Sequence, residues 1–202
     1  MIPRNKIDGV ILAGGQSRRM QVAAAGTVDK GLLMLNDRPL VQWVADYMQP
    51  FVNTLYVSAN RHLDIYARYG PCVPDDAVFG GDAGPLAGVA SAMARSRRPW
   101  LFVLPVDVPI VPKDLFPRLL AAVSDGAPLA YARAGRGAHP LCMLVRTDLQ
   151  SDLRAYLLAE GRKVLDWHRR HGAVAVDFGD DAWLFRNINT PDDYLAAGGA
   201  SG

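Results

Sequence analysis

A short apolar run that ends in two adjacent glycines constrains the fold more than any other stretch of the chain. Residues 10–12 read Val-Ile-Leu, which is typical of a buried strand, and Gly14 and Gly15 follow at once. Glycine has no Cβ, so the backbone can bend at the end of a strand and approach an anionic ligand closely. The stretch therefore predicts a first strand over residues 7–13 that leads into a ligand-binding turn.

Basic residues follow this turn. Arg18 and Arg19 come directly after it, and Lys30 lies in an Asp-Lys-Gly turn further on. Such cations could share the charge of a triphosphate with backbone N–H groups. Neither G-x-x-x-x-G-K-[ST] nor G-x-G-x-x-G follows the first strand, so a Walker A loop and a dinucleotide fingerprint are not supported. A tight turn without a ligand is the alternative.

Short apolar segments alternate with longer amphipathic ones along the whole chain. This alternation predicts βαβ units and a mainly parallel sheet. At 202 residues, half of them hydrophobic, the chain suits one domain, which we place at residues 1–196 with a disordered tail at 197–202. Helices are expected over 39–48, 112–123, 148–158 and 162–171, an Ala-rich helix after Gly84, and a last helix capped by Thr190.

Polar side chains come where predicted strands end. Ser58 and Asn60 close a strand over residues 55–59, and ligands gather at the carboxyl ends of strands in open α/β sheets. An Asn amide can donate to and accept from a nucleobase or ribose. Capping of the next helix by Asn60 is an equally open alternative.

A carboxylate ends the most continuous apolar strand, which we predict over residues 100–106. Asp107 follows it in the sequence Pro-Val-Asp-Val-Pro. Mg²⁺ commonly takes one or two protein carboxylates and fills its other positions with phosphate and water. We therefore predict that Asp107 binds Mg²⁺; a role as helix cap fits less well, since Pro112 lies five residues further on.

A polar loop is predicted at residues 133–140, between strands over 129–132 and 141–145. It carries two arginines and His139, which could contact a second, phosphorylated substrate. General-base catalysis by His139 is a weaker interpretation, because a phosphate nucleophile is already ionised.

The charge and cysteine content exclude several classes of protein. The 22 basic and 20 acidic residues leave a net charge of +2 without a basic block, so nucleic acid is not an expected partner. Cys72 and Cys142 are too few for a disulfide framework and are expected as buried thiols. No leader or spanning segment is apparent, and the expected location is the cytoplasm, away from membranes.

Several motifs together resemble a known family. Leu12 to Met20 and Asp29 to Leu33 are similar to the L-A-G-G-x-S-x-R-M and D-K-G-L motifs of GT-A-like nucleotidylyltransferases. Segments at 58–62, 84–88, 105–109 and 187–191 resemble one branch of it, the molybdenum cofactor guanylyltransferases. The chain departs from that branch at Ser58, where Asn is usual, and by an insertion at residues 21–28.

The resemblance implies a Rossmann-like three-layer α/β/α sandwich with a mainly parallel sheet. It also implies transfer of GMP from GTP to molybdenum-molybdopterin, with Mg²⁺ as cofactor and pyrophosphate as product. Transient contact with molybdenum-insertion proteins or molybdoenzyme chaperones is expected. Alternatives are cytidylyl transfer to the same pterin, a sugar-phosphate nucleotidylyltransferase, and a non-catalytic nucleotide-binding accessory protein.

Site residues follow from the same resemblance. Lys30, Arg19 and Asp107 are the expected catalytic residues, with Asp107 also the metal ligand. Asp76 is expected at the guanine edge. The full predicted nucleotide-binding set is Leu12, Ala13, Gly14, Gly15, Lys30, Ser58, Asn60, Asp76 and Asp107.

Overall fold

A computed structural model gives the fold. It describes residues 2–14, 29–80, 83–135, 137–180, 184–185, 187–188 and 193. The strands are β1 (Ile7–Leu12), β2 (Met34–Leu35), β3 (Arg38–Pro39), β4 (Leu55–Ser58), β5 (Cys72–Val73), β6 (Trp100–Pro105), β7 (Leu129–Ala134), β8 (Gly137–Arg146) and β9 (Val174–Asp177). The helices are α1 (Leu40–Met48), α2 (Leu63–Tyr66), α3 (Pro85–Arg95), α4 (Leu115–Ser124), α5 (Gln150–Leu158) and α6 (Val164–Arg170).

Seven of these strands form one mainly parallel sheet in the order β5-β4-β1-β6-β8-β7-β9. Four of its six pairings are parallel, and β8 is antiparallel to both of its neighbours. The strands β2 and β3 form a separate small hairpin. In the parallel half, β5, β4, β1 and β6 all end at the same edge of the sheet.

Helices cover both faces of the sheet, because the side chains of a strand point alternately to its two sides. Ile11 packs on one face with buried residues of α1 and α4. Its neighbours Val10 and Leu12 pack on the other face with residues of α3, α5 and α6. The three-layer α/β/α architecture is thus confirmed.

The predicted polar loop at residues 133–140 is wrong. β7 extends to Ala134 and β8 begins at Gly137, so most of the stretch belongs to a tight hairpin. Gly135, with φ of 55°, lies in the left-handed region that such turns require. Arg133 forms an ion pair with Asp177 of β9, at 2.5 Å. Cross-strand pairing decides the conformation here, and the local sequence does not show it.

Helix α4 begins later than predicted. It starts at Leu115, with Asp114 in the N-cap position, and the Leu115 N–H donates to the Pro112 carbonyl. Asp107 therefore does not cap this helix, and the alternative to its metal role is excluded. Of the predicted helix after Thr190, only Asp193 is described, and it is helical. The tail at 197–202 lies outside the described residues, and the 1–196 domain extent stays a prediction.

Both cysteines are free. Cys142 is buried, as predicted, whereas Cys72 is only half-buried because β5 is short and lies at the edge of the sheet. Burial raises the pKa of the Cys142 thiol, and the nearby Asp107 carboxylate adds to this effect. None of the helices in the described ranges is both long and apolar enough to span a bilayer.

Candidate active site at the carboxyl edge of the parallel strands

Four parallel strands bring the predicted site residues to one edge of the sheet. Asp76 lies after β5, Asn60 after β4, Gly14 after β1 and Asp107 after β6. Neighbouring strands lie about 4.8 Å apart, so this edge extends over about 14 Å. A hydrogen bond of 3.0 Å from the Val106 N–H to the Leu12 carbonyl joins the ends of the two central strands. The edge thus brings residues that follow four neighbouring strands within about 14 Å of one another.

Lys30 and Asp107 form an ion pair although they are 77 positions apart in sequence. Lys30 Nζ lies 3.1 Å from Asp107 Oδ2, and their side chains are 18% and 21% exposed. Partial burial strengthens their electrostatic interaction, while the remaining exposure lets a ligand reach both groups. The two predicted catalytic residues that the structure describes therefore lie side by side, and their catalytic roles stay predictions.

Asp29 holds the turn that presents Lys30, a role that the sequence did not reveal. Its carboxylate accepts hydrogen bonds from the Gly31 N–H, at 3.2 Å, and from the Tyr66 hydroxyl. Tyr66 is fully buried, and burial together with the Asp29 carboxylate raises the pKa of its phenol. His62 Nε2 lies 4.0 Å from the same carboxylate. In the sequence, the position of Asp29 in the Asp-Lys-Gly turn is the only local indication of this network.

Gly31 allows the Lys30 turn to pack closely. A Cβ at this position would lie 2.4 Å from Tyr66 Oη and 3.1 Å from Val106 Cγ2. Any larger residue would push the turn away from β6, which carries Asp107 at its end. Glycine is therefore required here for packing, and the packing sets the distance between Lys30 and Asp107.

The double-glycine turn differs from the prediction in one respect. The N–H groups of Ala13 and Gly14 both donate to the Ser58 carbonyl, each at 2.9 Å, so they do not point toward a phosphate. A Cβ on Gly14 would meet only ordinary contacts, at 3.7 Å from Asn60 Nδ2 and from Ser58 O. The exposed face of Gly14 thus leaves room for a ligand, but its N–H group is taken by Ser58 and is not turned toward a phosphate; the second amide of the predicted pair, that of Gly15, lies outside the described residues.

Two residues of the predicted set lie outside the described residues. Gly15 and Arg19 both belong to the stretch 15–28, as does the insertion at 21–28. Their predicted roles stay predictions. The described residues of the first motif are Leu12, Ala13 and Gly14.

Ser58 lies beside the glycine turn, but its side chain faces away from the edge. The residue is 2% exposed, and its Oγ occupies the space beside Gly88 of α3, where a Cβ would lie 2.3 Å from it. Only its carbonyl contacts the glycine turn. The structure therefore does not support nucleotide binding by the Ser58 side chain, because this side of β4 is packed against α3.

Asn60 and the two adjacent aspartates form a connected polar group. Asn60 Nδ2 donates to Asp75 Oδ2, and Asn60 Oδ1 accepts from the Asp75 N–H, each at 2.9 Å. His62, not Asn60, occupies the N-cap position of α2, so the capping alternative is wrong. Asp76 is exposed, and its Oδ1 accepts from the Val78 N–H at 3.0 Å. This group lies at the far end of the edge from Asp107.

His139 lies in β8 and not in a mobile loop. Its ring stacks on Phe185, with centroids 4.8 Å apart, and burial lowers its pKa. The imidazole is thus neutral at pH 7, which argues against attraction of a phosphate by His139. Of the cations that we predicted to contact a second substrate from residues 133–140, Arg133 is paired with Asp177 and His139 is neutral. The third, Arg136, lies outside the described residues.

Asp107 suits a metal that takes most of its ligands from a substrate. Across the described ranges, no group of three or more His, Cys, Asp or Glu side chains could hold a metal ion. A complete protein cage, as in a structural zinc site, is therefore absent from that part of the chain. One partly exposed carboxylate beside Lys30 fits Mg²⁺, which can take one carboxylate together with phosphate oxygens and water.

Comparison with known proteins identifies the family of the chain. Its sequence matches the MobA-like NTP transferase domain over residues 9–174. It is 39% identical to a Shewanella loihica protein named molybdenum cofactor guanylyltransferase, over 93% of this chain and 93% of that protein. A Shewanella amazonensis protein of the same name is 39% identical, again over 93% of both chains. The predicted resemblance is confirmed.

Solved structures share the fold. The Archaeoglobus fulgidus molybdopterin-guanine dinucleotide biosynthesis protein A has a TM-score of 0.76 and 23% identity, covering 95% of this chain and 96% of its own. A Mycobacterium tuberculosis protein crystallised as a complex with manganese has a TM-score of 0.70 and 18% identity, covering 96% and 98%. At such identities the likeness shows the fold alone. With the sequence match over most of its length, the chain belongs to the MobA-like NTP transferase family of nucleotidyltransferase enzymes.

Proposed function

We propose that this enzyme transfers GMP from GTP to the terminal phosphate of molybdenum-molybdopterin. An oxygen of that phosphate attacks the α-phosphorus of GTP, the bond to the β-phosphate oxygen breaks, and pyrophosphate leaves. The single observation that carries the proposal is the Lys30 and Asp107 pair, 3.1 Å apart at this edge of the sheet. The names of the curated relatives support the choice of donor and acceptor.

Charge neutralisation and positioning provide most of the acceleration in such a reaction. The nucleophile and the α-phosphate are both anionic, so little covalent help from the protein is needed. Lys30 would bind the triphosphate and stabilise the charge that develops on the leaving pyrophosphate. The exposed face of Gly14 would let the phosphates approach the end of β1 closely. Arg19 remains part of the proposed catalytic set.

Magnesium is the proposed cofactor, and Asp107 would hold it. The ion would supply positive charge to the phosphates of GTP when bound. The manganese complex of the structurally similar mycobacterial protein supports a divalent cation on this fold. Because Lys30 already neutralises the Asp107 carboxylate, a metal–nucleotide complex would replace one charge partner by another, and no uncompensated charge would be left in the partly buried site.

The base would lie at the other end of the edge. Asp76 is the proposed acceptor for the guanine N1–H and N2–H₂ groups, and its exposed carboxylate lies beside the Asn60 and Asp75 pair. Asn60 would act through its contact with Asp75 and its position beside Gly14. A cytoplasmic location and transient contact with proteins of molybdenum insertion are further parts of this proposal.

A donor competition tests the proposal. Purified protein is incubated with molybdenum-molybdopterin, Mg²⁺ and each of the four NTPs, and both pyrophosphate and the dinucleotide are measured. We expect product from GTP alone, and its loss when EDTA removes the metal. Preference for CTP, or turnover only with a sugar phosphate, would assign the site to a different nucleotidylyltransferase. GTP binding without turnover would indicate an accessory protein.

A further inference from the structure

The described C-terminal residues are joined to the loop that carries Asp107. The Ile188 N–H donates to the Asp107 carbonyl at 2.8 Å, and the Phe185 N–H donates to the Ile110 carbonyl at 3.2 Å. These two hydrogen bonds fix both ends of the loop formed by residues 107–110. The backbone that carries the proposed metal ligand is therefore held by a segment almost eighty residues further along the chain.

Phe185 has an unusual backbone conformation for this task. Its φ is 61°, in the left-handed region that residues other than glycine seldom adopt. Phenylalanine has no polar side-chain atom that could stabilise this conformation locally, unlike Asn or Asp. Its surroundings must therefore impose it, and such residues are concentrated where structure serves function.

The Phe185 ring is fully enclosed. The residue is 0% exposed, and its ring stacks on His139 of β8 at 4.8 Å, with an angle of 23° between the planes. On another side it meets Phe178, the residue after β9, edge-to-face at 5.4 Å. A residue of β8 and the residue that follows β9 thus fix the ring, and the ring fixes the backbone N–H that holds the Asp107 loop.

We propose that Phe185 is a positioning residue for the Asp107 carboxylate. The buried ring keeps residues 185 and 188 where their N–H groups can hold the loop, so that Asp107 is already oriented before the metal–nucleotide complex binds. A smaller side chain would loosen the ring's packing and let the loop move. This inference rests on the proposed function, because it assumes that Asp107 binds the metal of a metal–GTP complex.

Direct metal binding tests the inference without any turnover. The Mn²⁺ complex of a non-hydrolysable GTP analogue is titrated with the full-length protein, and its binding is followed by the change in the electron paramagnetic resonance spectrum of the bound Mn²⁺. We expect Phe185→Leu to weaken Mn²⁺ binding about tenfold, since groups that orient a metal ligand commonly contribute 10-fold to 100-fold in metal affinity. Thermal unfolding of the same samples reports how much stability the substitution removes.

Phe116→Leu is the matched control. Phe116 is a 5% exposed phenylalanine in the same core cluster, and its ring packs on Phe51 at 4.5 Å and on Phe102 at 5.1 Å. Its truncation removes the same buried atoms as Phe185→Leu, but its ring contacts are Phe51, which follows α1, and Phe102 of β6, rather than the Asp107 loop. We expect Phe116→Leu to lower the melting temperature while Mn²⁺ affinity stays within about twofold of wild type.

A third variant separates this inference from the proposed function. If Asp107→Asn binds Mn²⁺ as tightly as the wild type, Asp107 is not a metal ligand, and both proposals are wrong. If Asp107→Asn loses binding while Phe185→Leu behaves like Phe116→Leu, the proposed metal role stands and the positioning role of Phe185 is overturned. Weaker Mn²⁺ binding by both Asp107→Asn and Phe185→Leu, with Phe116→Leu close to the wild type, supports the inference.

Discussion

Asp8 and Asp107 are carboxylates at opposite ends of the two central strands, and they differ in how their charge is satisfied. Asp8, near the start of β1, is 2% exposed and accepts from the Thr54 N–H at 3.2 Å and from Ser96 Oγ at 2.8 Å. Asp107, after β6, is 21% exposed and has the Lys30 ammonium, itself 18% exposed, as its ion-pair partner. Asp8 is enclosed by hydrogen-bond donors that belong to the fold, whereas Asp107 can exchange its partner Lys30 for a ligand. Asp8 thus has a structural role, and Asp107 suits a catalytic one.

Replacement of each carboxylate by the corresponding amide tests this difference, and we expect the larger effect at Asp107. We expect Asp107→Asn to lower turnover by about 10² to 10³, because it removes the negative charge that would hold the metal. Its melting temperature should stay close to that of the wild type, since the side chain is partly exposed. Pyrophosphate release under saturating GTP, with circular dichroism to verify folding, measures both. Near-normal turnover of a folded Asp107→Asn protein would contradict the catalytic role.

His168 is a buried polar residue outside the proposed site, and we expect it to make the stability of the fold depend strongly on acid pH. His168 is 1% exposed, and both of its ring nitrogens lack a hydrogen-bond partner within the described structure. Burial, with a smaller contribution from His171, lowers the pKa of His168 to about 4. The folded state therefore resists protonation, and stability that is full above about pH 6.5 is lost as the pH falls toward 4.

The expected loss is about 3 kcal/mol, from a pKa difference of about 2.5 units between the unfolded and folded states. His168→Phe should unfold with a shallower dependence on pH over this range. Urea unfolding at several pH values measures the difference. If the free energy of unfolding depends on pH equally in the wild type and in His168→Phe, then His168 does not govern the acid stability of this molecule.

Gly31 and Gly14 differ in how much space each has, and alanine at each position tests this. Gly31→Ala places a methyl group 2.4 Å from Tyr66 Oη, so we expect a loss of about 1 to 3 kcal/mol from overpacking. Turnover should fall as well, because the Lys30 turn must move. Gly14→Ala meets only contacts at 3.7 Å, and its stability should change by less than about 0.5 kcal/mol.

The measurement for both glycine variants is the urea midpoint together with the KM for GTP. For Gly14→Ala we expect an increase in KM without a loss of stability, because the added methyl group would occupy the space proposed for phosphate. Equal stability of the two variants would contradict the packing argument for Gly31.

The smallest expected effect on turnover is that of Asp8→Asn. The amide keeps the shape but only one acceptor oxygen, which can still accept from the Thr54 N–H. Its NH₂ group would face Ser96 Oγ, whose hydroxyl must turn to accept, and we expect a cost of about 1 kcal/mol. Turnover per folded molecule should not change. A fall in turnover comparable to that of Asp107→Asn would remove the distinction between the two carboxylates.

The sequence predicted the strands and one edge of the site well, because their signals are local. An apolar run marks β6, and Asp107 directly follows it; parallel strands then bring Asn60 and Asp76 to the same edge. What it missed depends on distant contacts. The hairpin of β7 and β8 requires cross-strand pairing, which the Gly-rich stretch at 133–140 does not show.

Hydrogen-bond partners were the least predictable part of the site. Nothing near Ser58 in sequence shows that its carbonyl takes the N–H groups of Ala13 and Gly14. Likewise, Tyr66 lies 37 positions from Asp29, so the contact that orders the Lys30 turn has no local pattern. A short strand or turn can be recognised from its residues, but the donor that satisfies a given acceptor is fixed only when the chain folds.

The position of a bound metal decides whether Asp107 is the metal ligand. A crystal grown with Mn²⁺ and a non-hydrolysable GTP analogue gives an anomalous peak at each manganese. We expect a peak in direct contact with an Asp107 carboxylate oxygen, with triphosphate oxygens of the analogue as further ligands and Lys30 moved from Asp107 toward the phosphates. A peak at Asp75 or Asp76, or a nucleotide bound away from the ends of β1 and β6, would contradict the account.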